Sequence, residues 1–284
     1  MIPEYPFKSH YFDIRGEKLH YLDEGEGPAV VMVHGNPTWS YYYRNVVKTL
    51  SDNFRVIVPD HMGCGLSDKP QKYDYRLDTH ISNLVALLEH LDLKPVSMIV
   101  HDWGGAIGMG YATRFPDLIE KLVVLNTAAF RSTRIPFRIR ICRWPLIGPL
   151  LVRGVNGFAR AALFMAVCRK MGKSTEKGYL FPYDSWKNRI AIYNFVRDIP
   201  LEKSHQSYQV LAGIEEGLTR LEQNNIPMLI CWGGKDFCFN DHFFNEWKRR
   251  FPRSEHYYFE DAGHYILEDK KGTIEPLISE FLSR

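Results

Sequence analysis

No run of about eighteen apolar residues occurs anywhere in the chain, so nothing in it reads as a membrane span. The opening stretch, MIPEYPFKSHYFDIRG, lacks the apolar core of a secretory leader. The five cysteines, at 64, 142, 168, 231 and 238, include no CxxC pair and no zinc-type spacing. Their odd number fits reduced thiols better than a disulfide framework, and we expect a cytoplasmic protein. Neither sign of charge dominates. The 36 Lys and Arg against 33 Asp and Glu leave +3, which gives no reason to expect nucleic acid. Internal repeats and low-complexity tracts are missing, and so is the G-x-S-x-G of serine hydrolases. The glycine-rich DHMGCGLSD (60–68) is not followed by GK[ST], which leaves it a structural turn rather than a phosphate loop.

What is present alternates between strand and helix. Residues 10–14 and 18–23 read as short strands. PAVVMVHG (28–35) and FRVIVPD (54–60) are β-branched runs of the kind buried on both faces of a sheet. DTHISNLVALLEHLDL (78–93) has apolar residues at 81, 84, 85, 88 and 91, the spacing of an amphipathic helix, with Asp78 or Thr79 as its cap. A strand at 96–101, a helix at 104–115 and a strand at 121–126 follow. The pattern then breaks and resumes with a strand at 227–234, a helix at 241–250, a strand at 256–260 and a helix from 273. Alternation of this kind implies an α/β fold with a mostly parallel sheet flanked by helices. The core is expected at 1–129 and 213–284, with a helical cap inserted at 130–212.

The strand VSMIVHD ends on Asp102, followed by Trp103, Gly104 and Gly105. Open parallel sheets bind ligands beyond the carboxyl ends of their strands, and a strand–turn–helix there is the setting of a nucleophile elbow. The competing reading is an aspartate that merely caps the next helix. HGNP (34–37), EDAGHYILED (260–269) and CWGGKDFCF (231–239) tilt the balance. They add Asn36 where an oxyanion hole would be built, His264 in a loop after the last strand, and Asp236 placed to orient it. The order nucleophile, acid, histidine is that of the α/β-hydrolases. A carboxylate attacking an sp³ carbon forms an ester, which water activated by neutral His264 can cleave. The Trp103 indole N–H and the Asn36 amide would receive a leaving group that carries charge but needs no proton.

These residues, from YPFKSHYFDIRG to DAGHYILED, resemble the haloalkane dehalogenases over essentially the whole chain. Asp102, His264 and Asp236 with Asn36 and Trp103 resemble that family's third subgroup. VHGNPTWSYYYR, PDHMGCGLSDKP, HDWGGAIGMGYA and YDSWKNRIA are also similar to the β-lactone decarboxylases of bacterial long-chain olefin synthesis. The resemblance implies an α/β-hydrolase fold, catalysis by Asp102, His264 and Asp236, leaving-group binding by Asn36 and Trp103, and no metal or cofactor. The first expectation is hydrolysis of a carbon–halogen bond through an alkyl ester of Asp102. The alternative is opening of a cis-β-lactone with loss of CO2 to give a cis-alkene. An epoxide hydrolase would need cap tyrosines as acids, for which Tyr179, Tyr183, Tyr193 and Tyr208 are candidates. A non-catalytic binding module would keep these residues for no chemical reason.

The inserted segment is unusual in composition. From Arg131 to Lys173 there are ten Lys or Arg and no Asp or Glu, interleaved with large apolar residues. Either the arginines are solvated over a cap core, or the face docks on an acidic partner enzyme or an anionic membrane surface. The substrate expected beneath it is small and apolar, a haloalkane or a long-chain β-lactone.

Overall fold

A computed structural model describes residues 2–284. Eight strands make one sheet in the order β1-β2-β4-β3-β5-β6-β7-β8. They are β1 (His10–Ile14), β2 (Glu17–Glu24), β3 (Ala29–Val33), β4 (Arg55–Pro59), β5 (Val96–Asp102), β6 (Ile119–Thr127), β7 (Met228–Gly233) and β8 (Glu255–Phe259). β1 and β2 pair antiparallel, as do β2 and β4. Every other pairing is parallel. The β-branched runs fall in the middle. Every residue of β3 and β5 is buried, because helices cover both faces of a parallel sheet.

β5 lies between β3 and β6, so its carboxyl end is flanked by two neighbouring strand ends. The helix Trp103–Arg114 starts at once, with no connecting loop. It sits close to the sheet because Gly104 has no side chain; a Cβ there would overlap the carbonyl oxygen of Val33.

The amphipathic helix expected from 78 runs over Leu77–His90, and neither Asp78 nor Thr79 caps it. The free N–H of Leu77 donates instead to Asp198 Oδ2 at 2.8 Å, and Asp198 also accepts from the Ser207 hydroxyl at 2.7 Å. The cap of this core helix thus comes from a residue 121 positions away, which no local pattern encodes. Asp78 points outward and pairs with Arg114 at 2.6 Å.

Between β6 and β7 the chain is helical. Short helices at Phe137–Ile141, Gly157–Met165 and Ile190–Arg197 line the space above Asp102, at the carboxyl end of β5, and a further one runs over Lys173–Leu180. The helix Tyr208–Gln223 packs on Trp103–Arg114, and it runs straight through the boundary expected at 212/213. Leu211, Ile214, Leu218 and Leu221 are buried with the main core. The insertion is tied down at a second place. The buried Arg44 holds both oxygens of Glu268, at 2.5 and 3.1 Å, and the Tyr179 hydroxyl donates to the same carboxylate at 2.5 Å. Among the described residues no helix is long and apolar enough to cross a membrane.

Candidate active site

Asp102 sits at φ 52°, ψ −127°, a conformation that non-glycine residues rarely adopt. The turn that produces it points the carboxylate away from the helix behind it. Asp102 therefore makes no cap hydrogen bond with its side chain, and the simple capping role is not what the geometry gives. Its backbone is braced by Thr127, whose hydroxyl donates to the Asp102 carbonyl from the neighbouring strand. Oδ1 accepts the backbone N–H of Asn36 at 2.6 Å. Gly35 lets the carboxylate lie against the chain, since a Cβ there would overlap Asp102 itself.

On its other side Asp102 meets His264. The ring Nε2 is 3.4 Å from Asp102 Oδ2, and Nδ1 is 2.7 Å from Asp236 Oδ2. All three side chains are buried. Burial disfavours charge on the imidazole, but Asp236 first, and then Asp102, favour it more, and the His264 pKa is pushed up to about 10. The two carboxylates thus favour the protonated ring in the resting site. Burial likewise opposes charge on Asp102, yet the hydrogen bond and charge of His264, with the Asn36 N–H, hold its carboxyl below the usual value. The pair is a buried carboxylate braced by an imidazole.

The loop bearing His264 is fixed from beneath. Asp269 accepts from the N–H of Gly263 at 2.7 Å and from the N–H groups of Cys168 and Arg169 at 2.9 Å each. One carboxylate thus ties the histidine loop to the cap. Asn126, at the end of β6, exchanges two hydrogen bonds with the Gly233 backbone at 2.8 and 3.0 Å. Its amide locks β6 to β7, and it is Asp236 that meets the His264 ring.

Sequence reasoning did not single out His101. Its Nε2–H donates to the His264 carbonyl at 2.9 Å, and its ring lies 4.5 Å from the His264 ring and 4.4 Å from Tyr42. Burial first, then the charge of His264, hold it down at about 3, so it stays neutral. The signal was its place next to Asp102 in a fully buried strand, where an ionisable residue is rare.

Asn36 and Trp103 both face the cavity above Asp102. The Asn36 amide donates to the Ile192 carbonyl of the cap at 3.2 Å, and its own carbonyl oxygen is buried without a partner. One amide N–H remains for a ligand. The Trp103 indole packs on Phe195 at 5.3 Å and lines the cavity wall. Tyr179, Tyr183, Tyr193 and Tyr208 line neither wall of the cavity described next; Tyr179 is spent on Glu268, and Tyr183 contacts Gly65 and Thr38.

Two apolar arms leave Asp102. The first passes Trp103, Ala106, Phe130, Val196, Leu211 and Phe243 toward Arg134 and Ile135. The second passes Ala161, Ala162, Met165 and His264 toward Arg138, Leu151 and Phe237. Asn36, Asp102, Ile139, Phe158 and Cys238 border both. The Cys238 thiol at this junction is inert, because burial and then the charges of Asp236 and Asp102 push its pKa well up.

A family model for the alpha/beta hydrolase fold matches residues 28–271. A cis-3-alkyl-4-alkyloxetan-2-one decarboxylase of Shewanella oneidensis is 47% identical, over 98% of this chain and 89% of that one. A haloalkane dehalogenase of Mycolicibacterium paratuberculosis is 32% identical, over 83% of this chain and 79% of that one. Among solved structures, a haloalkane dehalogenase from Bradyrhizobium elkani superposes with a TM-score of 0.90 at 23% identity, covering 98% of each chain. That last likeness speaks for the fold.

Proposed function

This chain belongs to the α/β-hydrolase fold family, and we propose that it is an enzyme that opens cis-3,4-dialkyl β-lactones with Asp102 and releases CO2 and a cis-alkene. The observation that carries this reading is the pair of apolar arms meeting at the carboxylate. A β-lactone with alkyl groups on adjacent ring carbons needs two such arms, while a haloalkane needs one arm and a halide site. The decarboxylase relative supports the same choice through its greater identity and coverage.

The chemistry needs no cofactor and moves no proton. An Asp102 oxygen attacks ring carbon C4 from the side opposite the ring oxygen. The C4–O bond breaks, and its electron pair stays on what becomes a free carboxylate on C3. Asp102 is now an alkyl ester. The C3–carboxylate bond then breaks, its electrons form the C3=C4 bond, and the C4–O bond to Asp102 breaks to return the carboxylate. Backside attack leaves the two departing groups antiparallel without bond rotation, and the two alkyl chains on one side. The alkene is therefore cis.

Opening the ring moves a negative charge from Asp102 to the substrate and removes none. The freed ring carboxylate takes over the charge that Asp102 gives up and keeps His264 protonated, whereas a departing halide removes that charge and frees the ring to activate water, so the lactone-derived ester partitions toward loss of CO2 rather than hydrolysis. Asn36 and Trp103 supply the donors for the freed ring carboxylate. The same two donors favour the second reading, release of halide from a haloalkane. The five free cysteines fit a reducing cytoplasm.

Incubation with a long-chain cis-dialkyl β-lactone is expected to yield CO2 and cis-alkene in equal amounts, read by headspace and gas chromatography. A bromoalkane of matching length should turn over more slowly. Hydroxy acid without alkene, or faster bromide release, would move the assignment to the hydrolase.

A further inference from the structure

The segment 137–165 reads FRIRICRWPLIGPLLVRGVNGFARAALFM. Its polar side chains are five arginines and Asn156; Asp, Glu, Lys, Ser, Thr, Gln and His are all missing from it. In the folded protein the helix Phe137–Ile141 buries none of its residues. Phe137 and Phe164 are each 68% exposed, Leu146 83% and Leu150 64%, with Trp144 and Val155 also exposed. Of the fourteen large hydrophobic residues exposed on the described chain, eight fall between 137 and 164. A patch so concentrated is not ordinary surface.

The charges are equally one-sided. Arg138, Arg140 and Arg160 have no acidic partner among the described residues, whereas Arg131 and Arg169, at the margins, pair with Glu215 and Asp261. The second arm of the cavity opens in this face, between Arg138, Leu151 and Met165. Arg138 lies against Met165 across the mouth, at 3.6 Å from its sulfur. This face offers guanidinium groups and hydrocarbon, which is what the interface of an anionic bilayer accepts.

We propose that the cap docks on anionic lipid bilayers through this face, with Phe137, Leu146, Leu150 and Phe164 entering the headgroup–acyl boundary and Arg140 and Arg160 meeting lipid phosphates. The mouth of the second arm then opens onto the hydrocarbon, and an apolar substrate enters without crossing water. The purpose rests on the proposed reaction. Docking itself does not, and it is measured without substrate, so the two can fail separately.

The test is flotation with phosphatidylcholine vesicles, with and without added phosphatidylglycerol. The protein is expected to float with the anionic vesicles at low salt and to be released as salt rises, because screening shortens from about 10 Å at 0.1 M to about 3 Å at 1 M. Arg140→Glu with Arg160→Glu is expected to lower the bound fraction at least about tenfold, the scale of losing two lipid contacts. Phe137→Ser with Phe164→Ser should do the same with melting unchanged. As a measurement that needs no destabilising variant, brominated acyl chains should quench the tryptophan emission of the bound protein, and less so in Trp144→Phe. Failure of the unmodified protein to float overturns the proposal. So does binding that survives both double substitutions, or sedimentation as a self-associated or partner-bound species that ignores vesicles.

Discussion

Asp102→Ala is expected to abolish release of CO2 from a dialkyl β-lactone and of bromide from a bromoalkane alike, by on the order of 10⁴-fold or more. In the proposed mechanism both reactions pass through an ester on this carboxylate, and no other carboxylate borders the junction of the two arms. Alanine at φ 52° is strained, which could lower stability as well. Asp102→Asn is therefore the companion variant. It tolerates positive φ, keeps an oxygen for the Asn36 N–H, and lacks the charge. Headspace CO2, a halide electrode and a melting curve decide the matter. A folded Asn variant with more than a hundredth of the activity would mean that the nucleophile lies elsewhere.

His264→Gln is expected to separate the two chemistries. With a bromoalkane, hydrolysis of the ester needs a base, so the variant should release one bromide per enzyme and stop. Intact mass should show the alkyl group still on the protein. With a β-lactone no proton moves, so cis-alkene should keep forming over many turnovers. Its rate should fall by about 10²-fold, the scale of losing one preorganised charge-stabilising group. Alkene formation that also stops after one turnover, with adduct retained, would place a His264-dependent step in the lyase path and refute the proton-free sequence.

The legible parts of this protein were those in which one local signal decides one local structure. β3 and β5 were plain because β-branched runs buried on both faces have few alternatives. Asp102 stood out because a charged residue at the end of such a run, before two glycines, asks for a turn. Asp236 and His264 were found by their position after strand ends, and the structure joins Asp236 to His264 and His264 to Asp102. What stayed hidden was long-range. The N–H of Leu77 is capped by Asp198, where the local sequence offered Asp78 or Thr79. The Asn36 amide leans on Ile192. His101 acts on the histidine loop from the adjacent strand position. Nor could composition show that the cap divides the space beneath it in two. The walls of each arm come from several short helices, and periodicity within any one of them says nothing about the gap between them.

The forked cavity bears on how a finished molecule departs. In the proposed reaction a hydrocarbon made at Asp102 would lie with one half in each arm, bent around the junction of Ile139, Phe158 and Cys238. It cannot simply drop out. One half must be drawn back through the fork and along the other arm, sliding methylene by methylene against walls that hold every part of it equally well. No bond is made or broken on that path, and no single contact resists it. The delay is friction, and it lengthens with the chain being pulled. CO2, by contrast, is small enough to escape at once. In a rapid-mixing experiment with long-chain substrate, gas should therefore appear in a burst ahead of free alkene, and the lag should shrink as the alkyl groups are shortened. Simultaneous appearance at every chain length would mean that the cap lifts away as a lid and frees both halves together.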